Sequence, residues 1–194
     1  MLKIGITVGI GSGKTTVCKL CELLRIPVYY ADIESKNILS SDVKVKQQVL
    51  SIFGNGVLNE QQRIDRKKLA ELVFNDKKAL EQLNGILHPA VGLHFENWVK
   101  KQTAPYCLKE AAILFESGAY KQVDKVITVL APLELKVSRA IKRGGITKEE
   151  VLARIENQLS DEEKAKRSDF TIINNEQELV IPQVLLLHTQ LLVK

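Results

Sequence analysis

The residues best suited to chemistry lie near the start of the chain, in the run Gly9-Ile10-Gly11-Ser12-Gly13-Lys14-Thr15-Thr16. Glycines let successive backbone N–H groups turn toward one centre, and a helix that begins behind them adds unpaired N–H groups and a positive dipole end. In such a loop the lysine reaches the β- and γ-phosphates of a nucleoside triphosphate, and the hydroxyl after it ligates Mg²⁺. The predicted nucleotide-binding residues are Gly11, Ser12, Gly13, Lys14, Thr15 and Thr16. Lys14 is also a predicted catalytic residue, and Thr15 a predicted metal ligand.

The sequence on either side of this loop predicts the elements that a P-loop requires. Residues 2–8 form a short apolar stretch typical of a strand, and residues 14–24 have a helical pattern. The usual motif, G-x-x-x-x-G-K-[ST], has its first glycine at position 8, where this chain has valine. Because a β-branched residue suits a strand but not positive φ, we expect Val8 to end the strand and Gly9 to open the loop. If position 8 needed positive φ, nucleotide affinity would suffer.

Strands and helices alternate along the rest of the chain. Further strands are predicted at 27–30, 106–115, 123–130 and 169–173. Helices are predicted at 43–53, at 66–74 with Asp65 as cap, at 77–87, from Pro89 onward, after the capping-box patterns that begin at Thr147 and Ser160, and at 176–193. Five strands alternating with helices predict an α/β fold with a parallel, doubly wound sheet. Ligands bind at the carboxyl ends of the strands in such sheets.

The overall composition excludes several classes of function. A net charge of +5 comes without any run of five or six basic residues, and aromatic residues are few, so a nucleic-acid surface is not expected. The late apolar stretch 179–193 is interrupted by polar residues and Pro182, so it is not expected to span a membrane. The N-terminus lacks the pattern of a secretory signal, and we expect a cytoplasmic protein. The Cys18-x-x-Cys21 pair falls inside the first predicted helix without a second pair, which favours buried, reduced thiols over a metal or redox site.

Several further stretches, taken together with the P-loop, are more specific than the P-loop alone. They are Tyr30-Ala31-Asp32, Ile64-Asp65-Arg66, Leu83-Asn84 followed by His88-Pro89, Leu114-Phe115-Glu116, Arg139-x-x-x-Arg143, Arg154-Ile155-x-x-Gln158 and the run 168–175. In this combination the chain resembles the dephospho-CoA kinase family, whose members catalyse the last step of coenzyme A biosynthesis. There are three departures from the family pattern: Val8, Tyr30 where the family often has aspartate, and the pair Glu110 and Ala112 where it often has aspartate and proline.

The resemblance implies a single P-loop kinase domain over residues 1–194, with a five-stranded parallel sheet flanked by helices. Its core would comprise about 1–32, 104–132 and 168–194, with a helical acceptor-binding insertion at about 33–103 and a helical lid at about 133–167. The implied reaction moves the γ-phosphoryl group of ATP to the ribose 3′-hydroxyl of dephospho-CoA and gives CoA and ADP. ATP with Mg²⁺ and dephospho-CoA would be the ligands, and the protein would be a monomer or small homo-oligomer.

The resemblance also suggests catalytic roles. Asp32, just after the second strand, is predicted to accept the hydroxyl proton or orient the hydroxyl, and to bind substrate; the alternative is a helix N-cap. Arg139 and Arg143 share one helix face before Gly144 and Gly145, a predicted hinge. We expect both on a lid that closes over ATP, Arg139 as a catalytic residue and Arg143 as a nucleotide ligand. Arg154 is a weaker candidate for the same lid. The alternative for these arginines is a solvated basic face.

Two acids and one histidine complete the candidate site. An acid at the end of a buried strand beside a P-loop suits a Mg²⁺ site, which favours Glu110 as a metal ligand. Glu116 is predicted to bind the acceptor, although it could instead serve the metal or cap the following helix. His88 is a second candidate acceptor ligand, with a helix-start histidine as the alternative.

Other functions remain as alternatives. The nearest is another small P-loop kinase that acts on a nucleoside or nucleoside monophosphate, since only the acceptor insertion would differ. A GTPase-like switch is disfavoured because the chain lacks Asn-Lys-x-Asp, and no Asp-x-x-Gly follows its apolar strands. A non-catalytic P-loop module has Val8 as its only support.

Overall fold

The computed structural model of the chain describes residues 1–74 and 76–193. In this part of the chain five strands form one sheet in the order β2-β3-β1-β4-β5, and every pairing is parallel. The strands are β1 (Leu2–Val8), β2 (Val28–Tyr30), β3 (Tyr106–Glu110), β4 (Lys125–Leu130) and β5 (Phe170–Ile173). The helices are α1 (Lys14–Leu23), α2 (Ala31–Ser41), α3 (Val43–Phe53), α4 (Arg66–Phe74), α5 (Lys77–Val99), α6 (Leu133–Lys142), α7 (Lys148–Glu156), α8 (Asp161–Lys166) and α9 (Val180–Leu192). The predicted parallel α/β sheet is confirmed.

The central strand β1 is apolar because the sheet covers it on both edges and helices cover its faces. Its residues Ile4, Ile6 and Val8 are buried in a core that also includes Ile127 and Val129 of β4. Helices α1 and α9 supply most of the other buried members of this core, and β3, β5 and Ile26 supply the rest. The register places Ile6 beside Glu110 and Val8 beside Val129. The carboxyl ends of β1, β3 and β4 therefore lie together at the edge from which the P-loop leaves.

The chain divides into two compact units. The first comprises residues 1–30 and 101–193 and contains the whole sheet. The second, Ala31–Lys100, consists of α2 to α5 with a short turn between α3 and α4. Carboxylates cap three of its helices: Asp42 accepts from the amides of Lys44 and Val45, Asp65 from those of Lys67 and Lys68, and Asp76 from that of Ala79. The predicted Asp65 cap is confirmed.

The prediction of separate helices before and after Pro89 is wrong, because α5 runs unbroken from Lys77 to Val99 with Pro89 inside it. A proline within a helix removes one N–H donor and crowds the carbonyl four residues earlier, here that of Gly85. Both Gly85 and Pro89 are exposed, so water can satisfy the carbonyl and the helix continues.

One strand and one helix are shorter in the structure than the sequence predicts. The strand predicted to reach residue 115 ends at Glu110, because the following residues turn back on themselves: Ser117 N–H donates to Ile113 O, and Tyr120 N–H to Leu114 O. Leu114 and Phe115 are buried in this turn, whereas Ile113 is exposed. The last helix begins at Val180, not at residue 176, because the Asn175 side chain accepts from the amides of Gln177 and Glu178 and forms a turn there.

The prediction of buried thiols at Cys18 and Cys21 is confirmed; Cys107 is buried as well, and among the described residues none of the three takes part in a disulfide. Among the described residues no helix combines the length and the apolar character needed to cross a membrane.

Candidate active site

The P-loop has the backbone that its sequence predicts. Val8 is the last residue of β1, in extended conformation and 4% exposed, while the left-handed φ angles fall at Gly11 (79°) and Gly13 (94°). Helix α1 then begins at Lys14, and no side chain of the described residues caps it. Its first N–H groups therefore face the loop without a side-chain acceptor, which is the arrangement that binds a phosphate.

Close neighbours explain why Gly11 and Gly13 must be glycine. A Cβ on Gly11 would lie 2.1 Å from the backbone oxygen of Lys136 in α6, and one on Gly13 would lie 2.1 Å from Nδ2 of Asn174. The same Asn174 nitrogen donates to the carbonyl of Ser12 over 2.8 Å. The loop thus packs between α6 on one side and Asn174, the residue that follows β5, on the other.

Lys14 forms an ion pair with Glu110, which is 5% exposed at the carboxyl end of β3. The P-loop cation and the predicted metal-binding carboxylate therefore meet at one point. Thr15 is exposed and lines the cavity above the loop. One hydroxyl and one carboxylate, completed by phosphate oxygens and water, make a ligand set that suits Mg²⁺. Since Mg²⁺ rarely needs an all-protein cage, the described residues fit the ion although they contain no cluster of three or more His, Cys, Asp or Glu side chains able to hold a metal.

A cavity of about 230 Å³ lies over the loop. Its lining comprises residues 8–15 together with Ala112, Arg143, Arg154 and Gln158. Three cationic side chains, those of Lys14, Arg143 and Arg154, thus border one cavity, which favours a polyphosphate. Oε1 of Gln158 is buried and has no hydrogen-bond partner among the described residues. Sequence reasoning gave Gln158 no role, although it belongs to the same pattern as Arg154.

Helices α6 and α7 carry these arginines over the P-loop. Val137, Ala140 and Val151 form a small separate core, and Ile10 of the P-loop packs against it. Between the two helices Gly144 and Gly145 both have positive φ, 79° and 77°, with open space where a side chain would be. Helix α7 begins with the complete capping box predicted at Thr147, in which Thr147 and Glu150 each bond the other's backbone N–H.

Arg139 lies outside the lining of that cavity. Its guanidinium donates to the carbonyl of Asn174 (3.1 Å) and to the carboxylate of Glu176 (3.0 Å). Glu176 has a left-handed backbone, with φ of 66°. Arg139 therefore fastens α6 to the turn after β5, the same turn whose Asn174 holds the P-loop. The sequence could not reveal this contact, because its partners lie 35 and 37 residues away.

Two ion pairs hold α8, one to α6 and the other to the turn that follows β3. Nζ of Lys136, which is 5% exposed, lies 2.8 Å from the carboxylate of Asp161 in the first turn of α8. Nζ of Lys164, which is fully buried, lies 3.3 Å from Oε1 of Glu116, and the same carboxylate oxygen accepts from the amide of Leu159 over 3.0 Å. In this structure the Glu116 carboxylate contacts Lys164 and the amide of Leu159. Its role in acceptor binding stays a prediction.

The other predicted acceptor residues lie in the second unit. Asp32 is exposed in the first turn of α2, as that helix's second residue, so its alternative interpretation as an N-cap is wrong. An acid there still suits the positive end of the helix dipole. His88 is partly buried in the middle of α5, directly before Pro89, so its alternative as a helix-start residue is wrong as well.

The sequence profile of the dephospho-CoA kinase family matches residues 2–180. A dephospho-CoA kinase from Bacteroides fragilis is 41% identical over 185 residues, which span 95% of this chain and 90% of the relative. One from Fusobacterium nucleatum is also 41% identical, over 172 residues that span 89% of each chain. The profile match includes every residue that lines the cavity.

Solved structures agree with the sequence comparison. The crystal structure of a protein from Thermus thermophilus matches with a TM-score of 0.85 at 32% identity and covers 100% of this chain and 98% of that one. A dephospho-CoA kinase from Campylobacter jejuni matches with a TM-score of 0.68 at 30% identity, covering 97% and 95%. A shikimate kinase from Acinetobacter baumannii, at 17% identity and a TM-score of 0.56, shares the fold.

Proposed function

Because the chain belongs to the dephospho-CoA kinase family, we propose that it transfers the γ-phosphoryl group of ATP to the ribose 3′-hydroxyl of dephospho-CoA, which yields CoA and ADP. The observation that carries the proposal is the cavity over the P-loop, which Lys14, Arg143 and Arg154 border together. Phosphoryl transfer depends mainly on positioning and on charge stabilisation, and three cations around the phosphates supply the second.

In this proposal Lys14 leaves Glu110 when ATP binds and stabilises the charge that grows on the transferred group. Gly11, Ser12, Gly13, Thr15 and Thr16 bind the phosphates through the loop backbone and hydroxyls. Thr15 and Glu110 would hold Mg²⁺, directly or through water. Bound there, the ion would neutralise phosphate charge and align the γ-phosphoryl group. The release of Glu110 from Lys14 thus couples the arrival of ATP to the formation of the metal site.

Two of the three residues proposed to act on the acceptor, Asp32 and His88, belong to the second unit. Asp32 accepts the proton of the 3′-hydroxyl or orients that hydroxyl, and its exposure in the first turn of α2 leaves the carboxylate accessible to a substrate. His88 and Glu116 contact dephospho-CoA. The second unit consists entirely of helices and a short turn, which is compatible with an acceptor-binding insertion.

The segment of α6 and α7 is the proposed lid. Arg143 and Arg154 bring guanidinium groups onto the phosphates, and the glycine pair between the helices provides the hinge. Arg139 is proposed to reach the transferred phosphoryl group during closure, for which it must exchange Glu176 for the substrate. We further infer a cytoplasmic enzyme, a monomer or small homo-oligomer; its three free thiols are compatible with a reducing compartment.

The deciding experiment measures ADP release by the purified protein with ATP and Mg²⁺, with dephospho-CoA, adenosine or AMP as acceptor. We expect ADP with dephospho-CoA alone, and CoA as the second product. Lys14→Met serves as the inactive control. Turnover with adenosine or AMP but not with dephospho-CoA would assign a nucleoside or nucleotide kinase instead. ATP binding without turnover on any acceptor would assign a non-catalytic module.

Two variants test the assigned roles in the same assay. Asp32→Asn should abolish most turnover while leaving ATP binding unchanged, and full turnover would remove Asp32 as the base. Arg139→Ala should lower kcat by roughly two to three decades, as the loss of a transition-state charge partner does. A decrease of less than about twofold would exclude that role for Arg139 and leave its contacts to Asn174 and Glu176 as its whole function.

A further inference from the structure

We propose that Glu116 and Lys164 form a positioning pair that fixes the turn between α7 and α8, so that the Gln158 side chain is held in the P-loop cavity. The inference rests on the proposed function for its kinetic test, but its geometry concerns the ligand-free protein. It also gives Gln158, whose side chain had no assigned role, a place in the phosphate-binding cavity.

The connection runs through short, named contacts. Oε1 of Glu116 accepts from the backbone N–H of Leu159 over 3.0 Å, and Leu159 is the residue directly after Gln158. The same oxygen lies 3.3 Å from Nζ of Lys164, one turn into α8. One carboxylate therefore holds both the turn and the helix that follows it.

The far end of this connection is anchored in the central sheet. The carbonyl of Lys164 accepts from the hydroxyl of Ser168 over 2.8 Å, and that hydroxyl lies 2.6 Å from the hydroxyl of Thr128 in β4. Thr128 is fully buried. The turn is thus tied to the residues after β3 through Glu116, and α8 is tied to β4 through the backbone carbonyl of Lys164.

Burial shows that this pair does more than bind two elements together. Lys164 is fully buried on a six-residue helix, and its Nζ has no hydrogen bond among the described residues, so the carboxylate of Glu116 is its compensation. Desolvation cancels much of the attraction in such a pair, and apolar residues of equal size often stabilise a fold as well. A role in orientation accounts for the charge better than a role in stability does.

The orphaned amide oxygen of Gln158 supplies the second observation. Oε1 of Gln158 is buried, none of the described residues gives it a hydrogen bond, and the side chain borders the cavity that Lys14 also lines. A buried acceptor without a partner costs free energy, which a bound ligand or its water can recover. Gln158 is therefore the residue through which the pair acts.

The test compares Lys164→Met with Lys166→Met, a matched substitution at an exposed position of the same helix. We expect Lys164→Met to lower kcat by about tenfold to a hundredfold, since small misplacements of a site cost that much, with the Kd for ATP changed less than about threefold. Lys166→Met should leave both values within about twofold. Equal effects of the two substitutions would overturn the proposal.

A double-mutant cycle separates positioning from a general structural role. If Lys164 acts through Gln158, Lys164→Met in a Gln158→Ala background should change kcat by less than about threefold. The full effect of Lys164→Met in that background would contradict the proposal, and so would a Gln158→Ala variant with wild-type kcat.

Hydrogen exchange of the ligand-free protein gives a readout independent of turnover. Lys164→Met should speed exchange of the amides of residues 157–161, whereas Lys166→Met should not; unchanged exchange would overturn the proposal. If Lys164→Met does not fold, Glu116→Gln is measured in the same way. A wild-type protein without activity on dephospho-CoA would refute the proposed function and still leave this measurement decisive.

Discussion

At the level of single residues, Gly11 of the P-loop differs sharply from an unconstrained glycine such as Gly56 in what a side chain would meet. A Cβ on Gly11 would strike the backbone oxygen of Lys136, whereas one on Gly56 has nothing within 4 Å. Gly11 also has a left-handed φ, and Gly56 does not. A backbone oxygen cannot rotate aside as the end of a long side chain can, so the loop itself must move.

We therefore expect Gly11→Ala to weaken ATP binding by at least roughly tenfold, a change of about 1.4 kcal/mol. Left-handed backbone costs an alanine a further ~1–2 kcal/mol in stability. Isothermal titration calorimetry with ATP and Mg²⁺ measures the affinity, with Gly56→Ala as the control. Equal ATP affinities of the two variants would show that the loop accommodates a Cβ at position 11 without losing its phosphate-binding conformation.

Val8 raises the opposite question, because it stands where the motif has glycine. Its backbone is extended and its side chain lies in the core beside Val129. Val8→Gly should reduce the free energy of unfolding by about 2–4 kcal/mol, through lost burial and a more flexible chain, while ATP affinity stays within about twofold. Urea denaturation and calorimetry provide the two values. Markedly tighter ATP binding by the glycine variant would mean that Val8 does impair the loop.

The sequence predicts the part of the site that is contiguous. Lys14 and Thr15 follow from one motif, because the loop and the helix that position them adjoin in the chain. The contacts of Asn174 with Ser12 and of Lys164 with Glu116 bring together residues far apart in sequence. No local pattern encodes such pairings, because they form only when folding brings these distant segments of the chain together.

At the level of elements, an ion pair links α6 to α8 within the segment proposed to be the lid. Nζ of Lys136 is buried against Asp161, and both side chains border Gly9: a Cβ there would lie 3.2 Å from Oδ1 of Asp161 and 3.4 Å from the Lys136 nitrogen. The pair thus holds the first turn of α8 and the start of α6 beside the P-loop. Losing the carboxylate would leave a buried ammonium group without its counter-charge.

Asp161→Asn should therefore lower the free energy of unfolding by about 1–3 kcal/mol, the cost of weakening a buried charged hydrogen bond. Glu162→Gln, the same change at the next, exposed residue of α8, is the control and should stay within ~0.5 kcal/mol. Chemical denaturation measures both variants. If the two substitutions cost the same, the pair contributes no more than a surface charge does.

Element boundaries show where periodicity stops being informative. The apolar run after Glu110 reads as strand, yet Leu114 and Phe115 are buried in a turn, and an apolar run alone does not distinguish the two. Pro89 predicts a break in the helix. The helix continues because Pro89 and Gly85 are exposed, so that water can bond the carbonyl left without an N–H donor. Caps were better guides: Asp65 and Thr147 both begin helices where their side chains indicate, because a cap is a local hydrogen bond.

At the level of the whole molecule, buried thiols link stability to pH. Burial is the largest cause that raises the pKa of Cys18 from 9.0 to about 12 and that of Cys21 from 9.0 to about 11. A raised thiol pKa means that the folded state keeps protons that the unfolded state has released. The stabilisation is therefore complete below about pH 8.5, near the pKa of an exposed thiol, and is lost as pH rises toward 11–12.

Between about pH 9 and 11 the free energy of unfolding should fall by about 1.4 kcal/mol per pH unit for each thiol that ionises only on unfolding. Urea denaturation at several pH values measures the slope, and the Cys18→Ala/Cys21→Ala variant should show a shallower one. The wild-type thiols should also resist alkylation at pH 8 until the protein unfolds. Identical slopes would assign the alkaline loss of stability to other groups.

Val8 has a consequence for how such enzymes are recognised. A search pattern that insists on glycine at the first position of the loop passes over this chain, although Gly11 and Gly13 meet the steric demand that the structure imposes. Position 8 belongs to the strand, and the packing of the core selects its side chain. Where a central strand leads directly into the loop, the first position of the motif should accept apolar residues as well as glycine. Kinases with a β-branched residue there need not be counted as degenerate.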